Sequence, residues 1–199
     1  MTDECEGNDL AERVKLIESM IAEGRRGTAQ WGWSFVLWGI AYYVATAWAS
    51  LGHSNAAWPV TMTVAAVFTV VAIKLKRRGT PVSGLSRAVG AVWKAAGIAL
   101  SLVLFGLAFA GRYEPHAFLA IVGGILGLAN FASSMILRWR AQLFCALVWW
   151  VEALSACFLS EQKAGWAFLI ATFLGQIVFG IYAMLLESRQ RHQHGVVHA

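Results

Sequence analysis

The chain has 199 residues, of which 58% are apolar and 14% charged, against roughly 45–50% and 25% in soluble proteins. A soluble globule of this length would lack the polar side chains to cover its surface, so the composition excludes a soluble enzyme, a disordered chain and a disulfide scaffold. The net charge of +5 is dispersed over many connections instead of forming one reading surface, which argues against nucleic acid as a partner.

In chain order, the opening MTDECEGNDL is acidic and has neither a basic n-region nor an apolar h-region, so the first apolar span is expected to be an uncleaved anchor. A short amphipathic helix comes next. Asp9 caps it with Glu12 three residues on, and Gly24 offers a stop. Leu10, Val14, Ile17 and Ile21 then share one face. That face suits either the bilayer surface or inner mouth of the bundle, or a cytoplasmic protein partner docked through residues 10–23.

A helix needs about 20 apolar residues to cross about 30 Å of hydrocarbon. Six runs qualify, near 31–51, 56–75, 88–110, 116–137, 141–160 and 164–186. Of 16 basic and 11 acidic side chains, only Lys74, Lys94 and Glu152 lie within them. The expected fold is an all-α polytopic membrane bundle of six transmembrane helices preceded by the short cytoplasmic amphipathic helix. Its parts are a cytoplasmic N-terminal segment (1–27), the transmembrane domain (28–188) and a cytoplasmic tail (189–199).

Orientation follows from Lys and Arg, which short cytoplasmic segments retain. With both termini in the cytoplasm, only Arg112 and Lys163 of the 16 basic residues fall outside. The basic connections also favour anionic lipid head groups. Trp31, Trp33, Trp93 and Trp139 fall at predicted inner rims, and Trp48, Trp58 and Trp166 at outer rims, where an indole meets both apolar and wet surroundings. Trp38, Trp149 and Trp150 are deeper and are expected to pack between helices. Short outer connections pair the spans into three hairpins, each followed by a basic cluster: Lys74 to Arg78, Arg138-Trp139-Arg140 and Arg189-Gln190-Arg191.

An ionisable side chain at mid-helix in lipid costs about 2.5 kcal/mol or more unless it finds water, a partner or a proton. Glu152 is the foremost case, about 16 Å from the inner end of its span at helical rise. Cys145, Trp149, Ser155 and Ala156 share its face. Gln176 is expected at the same depth, with Thr172 and Gly180 on its stripe, and Tyr42, Thr46 and Ser101 fall near that level. A second polar pair, Lys94 and Asn130, sits closer to the inner boundary, where the two can face one another. Gly123 and Gly127 on the Asn130 stripe read as packing glycines. Glu152 admits three roles: a neutral or hydrogen-bonded group that locks the bundle, a proton or cation site, or a head-group or redox site. Lys94 is explained by snorkelling, with a salt bridge to Glu152 as the alternative. Asn130 and Gln176 are expected to be interhelical hydrogen-bonding groups.

No cofactor, metal site or catalytic set is expected. Haem would need paired axial ligands inside the bundle, whereas His53 and His116 fall at the outer surface and His192, His194 and His198 in the tail. His53 and His116 are too few for a metal site. Cys5, Cys145 and Cys157 form no Cys-x-x-Cys pair, and Gly123-Gly124 lies within a span with no phosphate-loop Lys following.

The leading helix, Leu37-Trp38-Gly39, Trp58-Pro59 and the Arg138-Trp139-Arg140 turn together resemble a group of small six-span bacterial membrane proteins with no assigned activity. The resemblance implies a multi-pass protein of the bacterial plasma (inner) membrane and transfers no active-site residue. Two functional expectations follow. One is a scaffold, sensor or accessory protein, not an enzyme, acting through a partner or self-association as a homo-oligomer. The other is a small proton- or cation-coupled transporter or channel using Glu152 at the midplane.

Overall fold

The computed structural model describes residues 2–52, 56–76, 84–112 and 114–196. The chain is all helical there: α1 (Thr2–Ala29), α2 (Gly32–Gly52), α3 (Ala57–Lys76), α4 (Gly84–Phe109), α5 (Pro115–Leu137), α6 (Arg140–Phe158), α7 (Glu161–Thr172) and α8 (Phe179–Val196), with a π-helical turn, Phe173–Val178, joining the last two. Six segments are long and apolar enough to cross a membrane, in the places the composition predicts, with α7, the π-turn and α8 forming the last. Within lipid a helix is the economical solution because every interior backbone N–H and C=O is bonded inside the segment. His53, Arg77, Arg78 and His198 lie outside the described residues.

The expected short leading helix is corrected. It does not stop at Gly24 but continues to Ala29, and only the tight turn at Gln30 and Trp31 separates it from α2. Gly24 is a contact glycine: a Cβ there would lie 2.9 Å from Leu137 Cδ2 and 3.0 Å from Leu85 Cβ. Absence of a side chain at Gly24 lets α1 settle on the start of α4 and the end of α5. Arg25 fastens it there, its Nε donating to Leu137 O (2.7 Å) and Nη2 to Arg138 O (2.5 Å).

α5 and α6 form the most closely packed hairpin, joined by only Arg138 and Trp139. Pro115 starts α5, where its missing N–H removes nothing. At the other end Arg138 adopts the left-handed conformation (φ 49°, ψ 42°), and Trp139 N donates to Ser134 O at 3.0 Å, closing the helix as a Schellman-type cap. α6 also packs on α7, and α2 on the π-turn and α8, while α3 flanks α2 and α4 flanks α5. Gly32 and Gly180 bring α2 and α8 together, since a Cβ on either would lie 2.7 Å from the other's carbonyl oxygen. α3 and α4 bury little (Ala57, Ala65 and Val89) and present Val64, Val67, Phe68, Ile98 and Leu102 outward, as lipid-facing helices do.

Two aromatic clusters fill the bundle. Towards one end, Tyr42, Trp58, Phe118, Phe168 and Trp149 interlock, with Trp58 and Phe118 ring centroids 4.8 Å apart and Tyr42 and Phe168 5.6 Å apart. Towards the end that carries Arg25, Arg138 and Arg140, Phe35 packs edge-on against both Trp93 and Phe179 at 5.1 Å, and Trp139 lies 5.3 Å from Phe179. Trp58, Trp93 and Trp139, expected at the rims, turn their rings inward onto the bundle. Their rings gain aromatic partners there, at edge-on and tilted angles that the ring quadrupoles favour. Trp150, expected between helices, packs from α6 onto Gly127 and Phe131 of α5 while its outer side stays exposed.

Candidate functional site

The buried stripe of α6 runs Gln142, Cys145, Trp149, Glu152, Ala156, at offsets of 3, 7, 10 and 14 that place all five on one helix face. Glu152 is 2% exposed. Its carboxylate is seated on Gly123 of α5, where any Cβ would overlap Oε2 and would also lie 2.9 Å from Trp149 O and 3.0 Å from Ala153 Cβ. Both carboxylate oxygens are sealed from solvent, and among the described residues neither accepts a hydrogen bond. Ser155, half-buried, donates to the Glu152 backbone oxygen (2.7 Å), so it bonds the helix and not the carboxylate.

Trp149 extends this site to the last span. Its indole Nε1 stands 2.6 Å from where a Cβ on Gly175 would lie, so the glycine in the π-turn makes room for the ring. The π-turn also carries Gln176 and follows Thr172; Gln176 is 2% exposed and Thr172 fully buried. A single wide turn of this kind is often found at functional sites, because it breaks the regular bonding ladder. Trp149 Nε1, Thr172 Oγ1 and Gln176 Oε1, like the Glu152 oxygens, lack hydrogen-bond partners among the described residues.

The expected polar residues are only partly brought together. Gln176 backs onto Gly39 of α2, whose Cβ would come within 3.1 Å of Gln176 Cβ, and no hydrogen bond joins it to the Glu152 carboxylate. Tyr42 is buried beside Phe168, which in turn packs on Trp149 at 5.9 Å, so it reaches the Glu152 neighbourhood through aromatic contact. Ser101 is exposed on α4 and donates to Gly97 O of its own helix, outside this cluster. Lys94 and Asn130 do not meet: Lys94 is exposed, whereas Asn130 is fully buried and donates to Leu126 O of its own helix (2.9 Å). His116, at the opposite end from Arg138, engages Ala156 O through Nδ1 at 2.9 Å and ties the start of α5 to the end of α6.

Sequence reasoning missed three members of the polar interior, Thr28, Ser133 and Gln142. Gln142 and Ser133 are fully buried near the α5–α6 turn, with the Gln142 amide and Ser133 Oγ unpartnered among the described residues. Gln142 was accessible to the periodicity that exposed Glu152, since it lies ten residues earlier on the same face. Ser133 carries no such signal, because small hydroxyls are common in packed membrane helices.

Fold and site together define a polytopic all-α membrane protein whose interior holds a sealed acidic residue between α5 and α6. Comparison with protein-family models, with curated proteins and with solved structures finds no match.

Proposed function

We propose that the protein is a membrane scaffold, sensor or accessory protein, not an enzyme, that acts through a protein partner held on α1. The carrying observation is the division of labour along that helix. Its trailing end is fixed to the bundle by Gly24 and Arg25, while Val14, Leu16, Ile17 and Met20 upstream stand 48%, 61%, 55% and 42% exposed. Glu12, Arg13, Lys15 and Glu18 interleave with them, a balanced mixture better suited to a protein surface than to anionic lipid. With both termini in the cytoplasm of a bacterial plasma membrane, this face meets cytoplasmic proteins or a second copy of the chain. Glu152 then acts as a packed element of the α5–α6 hairpin.

A photocrosslinking residue at position 17 tests this in native membranes. A discrete protein adduct, or a dimer-sized one, is expected, and it should disappear when Leu16→Asp and Met20→Asp are added. Adducts with lipid alone would overturn the reading.

The second reading, a proton- or cation-coupled transporter or channel, draws on one observation. Unpartnered polar atoms of Trp149, Thr172 and Gln176 lie at the π-turn, with the unpartnered Glu152 carboxylate three residues beyond Trp149 on α6, and intramembrane acids commonly mark ion pathways.

A further inference from the structure

A second feature lies at the opposite pole of the α5–α6 hairpin from His116. Between α1 and the α5–α6 turn is a groove of about 500 Å³ lined by Glu18, Ile21, Ala22, Arg25, Arg138 and Arg140. Three arginines thus line it against one glutamate. Arg25 spends its Nε and one Nη2 hydrogen on the carbonyls of Leu137 and Arg138, which leaves three of its five N–H donors. The intervening Trp139 is buried against Phe179 and Tyr182, so the turn sends its indole inward while Arg138 and Arg140 remain exposed. α6 begins here with no side-chain cap, adding the partial positive charge of a helix N-terminus.

The backbone supplies an independent observation. Arg138 is the one non-glycine residue with positive φ among the described residues. A left-handed cap is the place where glycine is least strained. An arginine there is understandable when its guanidinium has a use, since strained positions gather where structure serves binding.

An exposed apolar track shares the helix face of Arg140. From Arg140 the same face of α6 runs through Phe144, Leu147 and Val151, which are 58%, 51% and 67% exposed. A charged head over an apolar track matches one class of ligand. We propose that the Arg25, Arg138 and Arg140 groove binds the phosphate head group of an anionic phospholipid, whose acyl chain lies along Phe144 and Leu147. Guanidinium groups suit this role because their planar forks present parallel donors to phosphate oxygens. Glu18 borders the site and selects for a head group that offers a donor beside its phosphate, such as a glycerol hydroxyl.

The test uses the full-length protein in neutral detergent, with phosphatidylglycerol, phosphatidylcholine and inorganic phosphate as probes. Bound lipid is read by native mass spectrometry and by the rise in melting temperature. Phosphatidylglycerol is expected to be retained in preference to phosphatidylcholine. Arg138→Gly with Arg140→Gln should weaken it by about thirtyfold, on the basis of about 1 kcal/mol per arginine at an anionic surface. Arg138→Gly suits the left-handed backbone, so the lipid-free melting temperature should hold or rise, which separates lost binding from lost folding. Arg112→Gln, at the far end, should leave retention unchanged. Equal retention of the two lipids, or equal loss in the Arg112 variant, would overturn the proposal. So would protection by inorganic phosphate equal to that by phosphatidylglycerol with no effect of Phe144→Ser, which would identify a free anion as the ligand.

Discussion

Glu152 and Gly123 form a pair in which each residue explains the other. The acid stood out in the sequence because it is the one carboxylate inside a span. Its seat did not, because the rotation of one helix against another is not contained in the periodicity of either. Gly123 was recognisable only as a site of close packing, and the structure shows what packs there. Overfilling such a site costs about 1–3 kcal/mol, so Gly123→Ala should lower stability in detergent by that amount. In a Glu152→Ala background the carboxylate overlap is gone and only the contacts with Trp149 O and Ala153 Cβ remain, so the same substitution should cost less. A coupling energy of about 0.5–3 kcal/mol from the four unfolding curves is the expected outcome. Additive effects would place the carboxylate elsewhere. Arg138 shows the limit of sequence reading at this scale: a basic residue in a basic cluster gave no sign of its left-handed backbone.

Helices whose boundaries are set by hydropathy were legible; those set by tertiary contact were not. Spans α2 to α6 begin and end close to their apolar runs, because hydrocarbon thickness fixes the length needed. α1 outran its expected stop since a glycine can end a helix or admit a neighbour, and only Leu85 and Leu137 reveal which. The π-turn was equally hidden: a run of apolar residues around Gly175 and Gln176 reads as ordinary helix. The α1 attachment is testable by itself. Gly24→Leu should push α1 from α4 and α5, at a cost of about 1–3 kcal/mol for overpacking. Amide exchange over residues 12–29 is then expected to quicken by about tenfold or more, with α5 and α6 unchanged. Exchange as slow as in the parent would mean that α1 is not held through Gly24.

For the molecule as a whole, composition made six spans readable, and periodicity along α6 picked out the buried face that carries Glu152. What escaped was arrangement: Ser101 and Lys94 share an expected depth with other polar groups yet stand on exposed faces of α4. Depth is one coordinate, and rotation about each helix axis decides the rest. Around Glu152 the bundle is closed, with its carboxylate oxygens screened from solvent by α5 and by its own helix. A closed interior is what the proposed scaffold role expects of this acid. The most direct measurement is proton and monovalent-cation flux into liposomes containing the parent protein or Glu152→Gln, across a pH gradient. The account predicts flux no greater than in protein-free liposomes for both; flux that depends on pH in the parent and is lost in Glu152→Gln would contradict it.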